Sequence, residues 1–238
     1  MKMTKKVQKN ADNMVKWSAA LHFVMAANGG FFAIYAILSR MNNLGQAQTA
    51  NLIEMICDIL GRDMLDVVER AGAAVIFIAA LILATVLEKR TDWELRYAAV
   101  VLDMLAALAV GFIPMSVKPV LALYPVFFAT PFQWCVFKGV RGYGSSTIFC
   151  TNNLRQTTTA LTEYFLLPKD DAKRGELLVK AGVFGGTLCS FYVGAVLGGT
   201  LWQTFEVCSI WFNIAILTVG LILVRMVRKR EIAMPVAA

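Results

Sequence analysis

The sequence predicts an all-α polytopic membrane protein, with six transmembrane helices arranged as a 3+3 inverted repeat and one short re-entrant or broken helix in each half. Composition is the first observation behind this: of 238 residues, 58% are hydrophobic and only 16% charged, with a mean hydropathy of +0.62. Soluble domains run nearer half apolar and a quarter charged. The second is a set of six apolar stretches, each near the roughly 20 residues that cross a bilayer. The third is a pair of shorter segments, matching in sequence and repeated at a fixed offset. Together they exclude a soluble enzyme, a disordered chain, a disulfide-stapled secreted module and a nucleic-acid arm.

The six stretches cover residues 18–38, 71–87, 97–117, 119–137, 181–201 and 207–224, and their only formal charge is Asp103. Backbone in lipid must satisfy its own hydrogen bonds, and these runs are too uniformly apolar for barrel strands, so they read as helices. The first stretch has the Lys-rich lead and Ala26-Ala27 of a signal peptide. Its apolar run resumes at Phe31 and continues to Leu38, however, long enough to stay as a helix.

Basic residues set the orientation. With the N-terminus inside, six crossings leave 19 of the 23 Lys and Arg residues on the cytoplasmic side, with Arg40, Arg62, Arg70 and Lys118 outside. The net charge of +7 is thereby a topology signal, which requires no nucleic-acid partner. The expected setting is the inner (plasma) membrane, multi-pass, with both basic termini cytoplasmic. The whole chain, 1–238, reads as one membrane domain: repeat one spans about 15–117 and repeat two about 119–225.

The repeat rests on matched motifs. Thr49-Ala50-Asn51-Leu52 opens a short apolar segment ending at Gly61, and Thr151-Asn152-Asn153-Leu154 opens another ending near Leu167, an offset of 102 residues. Gly29 aligns with Pro131 at the same offset, so the first helix of each half carries a helix-weakening residue. Arg70-Ala71-Gly72 aligns with Lys180-Ala181-Gly182, and Asp103 with Asn213, at an offset of 110. Three crossings per half is an odd number, so the second half enters inverted. That is the arrangement of many secondary transporters, whose shortened helices form a midplane site. An eight-crossing model in which both short segments cross is the structural competitor, but it moves the basic segment around Lys169 outside.

The candidate site follows from the few polar groups. Asn51, Glu54 and Asp58 share one face of the first short helix; Asn152, Gln156, Thr159 and Glu163 form a stripe on the second. Thr49, Asn51, Thr151 and Asn153 stand where side-chain oxygens cap free amides. If the two starts converge, their dipole ends favour an anion and Arg155 adds a full charge, while Glu54, Asp58, Asp103 and Glu163 favour a cation or a proton. The plainer reading is that the Thr and Asn residues are caps and that Arg155 pairs with a carboxylate as helix glue. Asp103 stands apart. A lone charge at a helix centre costs about 2.5 to 3.5 kcal/mol on insertion scales, which points to function.

Five scattered cysteines and the single His22 offer no metal site and no nucleophile–base pair, so neither a cofactor nor an enzyme is expected. The glycines of the run from Gly182 to Gly199 suit close helix contact, within the fold or in a homodimer. The function expected is a small-solute or ion transporter working by alternating access around the short helices. A non-transporting membrane scaffold or regulatory protein is the alternative.

The segment Phe132-Gln133-Trp134-Cys135-Val136-Phe137-Lys138, followed by the glycine-containing turn and Thr151-Asn152-Asn153-Leu154, resembles the signature of the YoaK-like bacterial integral membrane proteins, a domain-of-unknown-function family. Gly29-Gly30 and Thr49-x-Asn51 resemble the first-half motif. The resemblance extends over about residues 15–225. It implies an inner-membrane protein of about six helices, suggestive of a transporter with no established substrate, and it adds Gln133 to the substrate-binding candidates beside Asp103 and Asn213.

Overall fold

The computed structural model describes residues 5–40, 43 and 46–233, with side chains from residue 13 onward. The side chains of Lys5, Lys6 and Lys9, and all of Lys2, lie outside the described residues, so the N-terminal basic run is placed only from Lys16. Among the described residues the regular structure is helical: α1 (Lys5–Ser39), α2 (Gln48–Gly61), α3 (Met64–Arg90), α4 (Leu95–Phe112), α5 (Pro119–Ala122), α6 (Tyr124–Val136), α7 (Thr151–Leu166), α8 (Lys173–Phe205) and α9 (Asn213–Ala233), with a 3-10 turn over Glu206–Phe212.

Four helical runs are long and apolar enough to cross a membrane: Asn13–Ser39, Met64–Arg90, Leu95–Phe112 and Lys173–Ala233. The last of these is two helices joined by the 3-10 turn. Side-chain contacts give their directions. Along α8, Gly186, Gly194 and Gly198 meet Phe23, Ala27 and Phe31 of α1 in the same order, so the two run parallel. Along α9, Asn213 bonds Asn28, Gly220 meets Met25 and Arg230 lies over Trp17, so α9 runs back. The expected stretches 181–201 and 207–224 are thus separate antiparallel elements.

Two expected stretches are shorter or broken. The run 97–117 ends as helix at Phe112, because Pro114 disfavours helical backbone in the residue before it. The run 119–137 divides at Leu123 into α5 and the 13-residue α6, where Pro125 sits in the first turn and cannot donate to a preceding carbonyl. Pro131 inside α6 removes another amide. This segment therefore fails the length of an unbroken span.

Packing crosses between the sequence halves. Helix α1 lies against α8 and α9, and α6 lies against α3 and α4; α4 meets α9, α2 packs on α3, and α7 on α8. Tyr124 Oη donates to Glu69 O at one end of the α3–α6 pair, and Lys138 reaches Glu88 at the other, so these two run parallel as α1 and α8 do. The α1–α8 contact is backbone on backbone. A Cβ on Gly30 would run into Phe191 O, and one on Gly194 into Ala27 O. Glycine is what permits that approach. Gly185 likewise abuts Thr157 of α7, so most of the glycine run is spent on contacts within the fold.

The outside of this bundle is apolar. Ile78, Val193 and Ile222 are each more than half exposed, whereas the interior is closed by Met25, Phe32, Ala107, Phe127, Phe132 and Leu217. Such a surface suits hydrocarbon rather than water.

Candidate functional site

Where the apolar helices meet, five side chains form one buried polar cluster. Asn28 from α1 donates through Nδ2 to Asp103 Oδ2 of α4 at 2.9 Å and to Gln133 Oε1 of α6 at 2.7 Å. Its Oδ1 accepts from Asn213 Nδ2 of α9 at 2.7 Å. Gln133 Nε2 donates in turn to Met25 O at 3.0 Å and to Thr147 Oγ1 at 2.7 Å. Asn28, Asp103, Gln133, Thr147 and Asn213 are all fully buried. Two oxygens, Asp103 Oδ1 and Asn213 Oδ1, have no hydrogen-bond partner among the described residues.

Thr147 comes from an irregular segment between α6 and α7. Its first part is a tight hairpin: Val140 and Tyr143 exchange both backbone bonds, and Arg141 and Gly142 sit between them at φ 56° and 80°. Both central residues have positive φ, the pattern of a type I′ turn, where glycine is unstrained and arginine is not. Beyond it Ser145, Thr147 and Ile148 are buried against α1. Gly29 makes room for this backbone, since a Cβ there would strike Thr147 O. Ile148 O accepts from Gln46 Nε2 at 2.8 Å, which ties the lead-in of α2 to that of α7. Non-helical backbone at this depth is tolerated only when enclosed by protein or lining a cavity.

A cavity of about 530 Å³ opens at the same end of the bundle as Arg96, Lys138 and the hairpin, with His22 in its wall. His22 Nε2 is 2.7 Å from Ser145 Oγ, to which Thr187 Oγ1 donates at 3.3 Å. Two of the basic residues at the rim are paired, Arg96 with Glu94 and Glu231 and Lys138 with Glu88. Hydrogen bonds from Arg96 hold the Glu94 carboxyl below the usual carboxylate range.

The structure sorts the sequence-predicted residues into three places. Asp103, Gln133 and Asn213 come together in the buried cluster. Asn51 and Asn153 are buried at the feet of α2 and α7. Thr49, Thr151 and Arg155 are exposed, and Glu54 and Gln156 partly so.

The capping expectation needs correction: neither α2 nor α7 carries a side-chain cap. Asn51 instead donates to Arg70 O. Asn153 donates to Ser146 O and Phe149 O and accepts from Ser146 N. A neighbouring carbonyl lies within reach of each amide, so both asparagines stitch their helix to adjacent backbone.

Arg155 does not pair with a carboxylate among the described residues. It donates to Asn152 Oδ1, one turn back on its own helix, at 3.1 Å. Of the carboxylates expected to offer it a partner, Glu54, Asp58, Asp103 and Glu163, the first two are held by Arg70, which lies beside them because α3 folds back along α2, and Asp103 is bonded by Asn28. The second stripe also faces outward, with Asn152, Thr159 and Glu163 exposed, while Asn153 and Ala160 form the buried side of α7.

Asn28, Thr147 and Gln46 escaped the sequence reading. Asn28 was legible as a polar residue inside an apolar run beside Gly29. Gln46 and Ile148 are separated by 102 residues, the repeat offset itself. Arg40, counted as an outward charge, is buried and donates to Ile113 O and Pro114 O at 2.8 and 3.0 Å. It satisfies carbonyls freed at the end of α4.

A family model described as "Protein of unknown function (DUF1275)" matches residues 21–223. No curated protein matches the chain, and no solved structure does.

Proposed function

The chain belongs to the DUF1275 family, as its resemblance to the YoaK-like proteins implies, and from that premise we propose that it is an inner-membrane carrier for a small solute or ion, with two inverted three-helix halves working around the Asn28–Asp103–Gln133–Asn213 cluster. One observation carries the reading: a fully buried polar centre, built by helices of both halves inside an apolar bundle, with acceptor oxygens left open. Polar groups at such a depth are costly, and they mark substrate or ion pathways more often than scaffolding.

The inverted repeat draws support from the exchange of partners. Under the repeat, α1 corresponds to α6, α3 to α8 and α4 to α9. The contacts α1–α8 and α6–α3 then exchange, as do α1–α9 and α6–α4, and α2–α3 with α7–α8. Asp103 and Asn213, aligned by sequence, both reach Asn28. The alternating directions of α1, α3, α4, α6, α8 and α9 fit six crossings with cytoplasmic termini. In this reading α2 and α7 are re-entrant, each starting near the Gln46–Ile148 contact and returning to the side from which it came. The partners are lipid, the solute and, on the free apolar face of α8, a second copy. No cofactor or catalytic group takes part.

The test is solute flux in liposomes that contain the purified chain, with a panel of small labelled anions and cations. Flux that disappears in Asp103→Asn, with folding intact, is the expected result. Absence of flux across the panel from well-folded protein would overturn the reading. The scaffold alternative is favoured by the near-complete internal satisfaction of the cluster; it predicts that Asp103→Asn impairs folding itself, while exposed Arg155→Gln changes nothing.

A further inference from the structure

The transport reading leaves open which ion the centre takes. Four features of the cluster bear on this.

The first is its donor and acceptor pattern. Asn28 spends both Nδ2 hydrogens on Asp103 Oδ2 and Gln133 Oε1, and Gln133 spends both of its own on Met25 O and Thr147 Oγ1. Asn213 directs Nδ2 to Asn28 Oδ1. Asp103 Oδ1 thus receives no hydrogen bond from any described residue. An amide-lined pocket that gives one carboxyl oxygen a single donor and the other none offers a carboxylate too few donors and suits a carboxylic acid, with its hydroxyl at Oδ1.

The second is charge. Facing Asp103 are Asn28 from α1, Gln133 from α6 and Asn213 from α9, all neutral. No ionisable side chain from α3, α9 or the 3-10 turn forms a hydrogen bond or ion pair with it among the described residues. His22 and Tyr35, the titratable groups of α1 on either side of Asn28, bond elsewhere or stand unpartnered. A carboxylate taken out of water with no counter-charge neutralises by holding a proton.

The third is the approach route. The cavity reaches His22, and hydroxyl and imidazole groups continue inward through Ser145 and Thr187. These groups can both give and accept protons. Thr147 lies two residues beyond Ser145 in the same buried segment, and between it and Asp103 stand two amide side chains, Gln133 and Asn28. An amide nitrogen has no basic lone pair and passes no proton on while its hydrogen bonds hold.

The fourth is enclosure. Gln133 and Asn28 are each fully buried, and Thr147 is held by the backbone packed on Gly29. The amides therefore move only if the helices that carry them do.

We propose that Asp103 is the proton-binding site of the protein, protonated on Oδ1, and that the Asn28–Gln133 amide pair is the gate that separates it from the His22 cavity. The proposal deepens the carrier reading by naming the coupling ion, but its test needs no flux and no substrate. On opening, the O–H bond of Asp103 breaks, its electron pair stays on Oδ1, and the proton passes to cavity water. Reprotonation reverses each step.

The experiment is infrared spectroscopy of the purified full chain in lipid, buffered near neutral pH with and without sodium chloride. The expected result is a carbonyl band of a buried protonated carboxyl, absent in Asp103→Asn and unchanged by sodium. Its deuterium shift should be slow in the wild type and at least tenfold faster in Gln133→Ala, with circular dichroism confirming helix content for each variant. Should Gln133→Ala fail to fold, Thr147→Val, which leaves both amides in place but removes the hydroxyl that Gln133 Nε2 bonds, should speed the shift. No carboxyl band from folded wild-type protein would overturn the proton site. A band removed by sodium would overturn it in favour of a sodium site. Equal exchange rates in wild type and variants would overturn the gate. A flux assay that fails beside an intact band would count against the carrier reading alone.

Discussion

Replacing Asn28 by leucine tests whether the polar centre also holds the bundle together. Leucine shares asparagine's branched skeleton of heavy atoms and is bulkier, so the substitution removes hydrogen bonds and leaves no cavity. Three bonds are lost: two from Nδ2 and the one that Oδ1 accepts. Interhelical hydrogen bonds in membrane proteins average about 0.6 kcal/mol by double-mutant cycles, so three set a floor of about 2 kcal/mol. The orphaned groups raise it. Among the described residues, Asp103 and Asn213 each lose their sole side-chain hydrogen bond, and each already has one unpartnered oxygen. An unsatisfied buried polar group costs about 1 to 3 kcal/mol, and since these costs overlap we expect a total of about 3 kcal/mol. The assay is reversible unfolding in mixed micelles, followed by circular dichroism and tryptophan fluorescence. The control is Thr218→Val, which removes one exposed hydroxyl bond within α9 and should shift stability by less than about 0.5 kcal/mol. A shift for Asn28→Leu no larger than the control's would refute the claim that this network joins the helices.

Two further outcomes follow from the packing and the rim charges. Gly194→Ala places a methyl against Ala27 O and should destabilise by about 1 to 3 kcal/mol. Gly182→Ala, where nothing lies within 4 Å, should be neutral or stabilising by up to about 1 kcal/mol; thermal melts in detergent distinguish the two, and equal effects would deny the backbone contact. The depressed carboxyl of Glu94 contributes stability that is present above its ordinary value of about 4.3 and is lost as pH falls through its lower folded value. Arg96→Gln should therefore flatten the acid limb of the melting curve in that window, and an unchanged limb would show that the pair contributes nothing.

Much of the fold was legible because bilayer physics constrains sequence tightly. The helical class and the two short segments follow from apolar length, although among the described residues four helical runs rather than six are long and apolar enough to cross, and α2 and α7 begin within a residue of the expected starts at Thr49 and Thr151. Asp103 stood out because a charge in an apolar run has few innocent explanations. Its partners were harder to see. Gln133 and Asn213 are reached through the family resemblance and the repeat, while Asn28 is a neutral amide that passes unremarked in its apolar run; that the three meet depends on α1 packing against helices of the other half. Arg155 shows the converse: at a helix start it suggested an anion site, yet its exposure on α7 leaves it outside the cluster. The extended run from Ser145 to Ile148 was hidden because burial of an irregular segment is a property of what surrounds it. Only Gly29, which makes that burial possible, was visible beforehand as a helix-weakening residue.

The crossing of partners between halves has a consequence for synthesis. Helix α1 ends at Ser39, while the helix it packs on most closely ends at Phe205. At about 5 to 20 residues per second, the ribosome completes that partner roughly 10 to 30 s later. Throughout that interval Asn28 lacks Asn213, which follows Phe205 in the chain, and Gly30 lacks its Phe191 contact until α8 is made. Assembly therefore waits on the end of the chain. Any truncation before α8 leaves the first helix without its glycine contact and without Asn213, exposed to the quality-control machinery of the membrane.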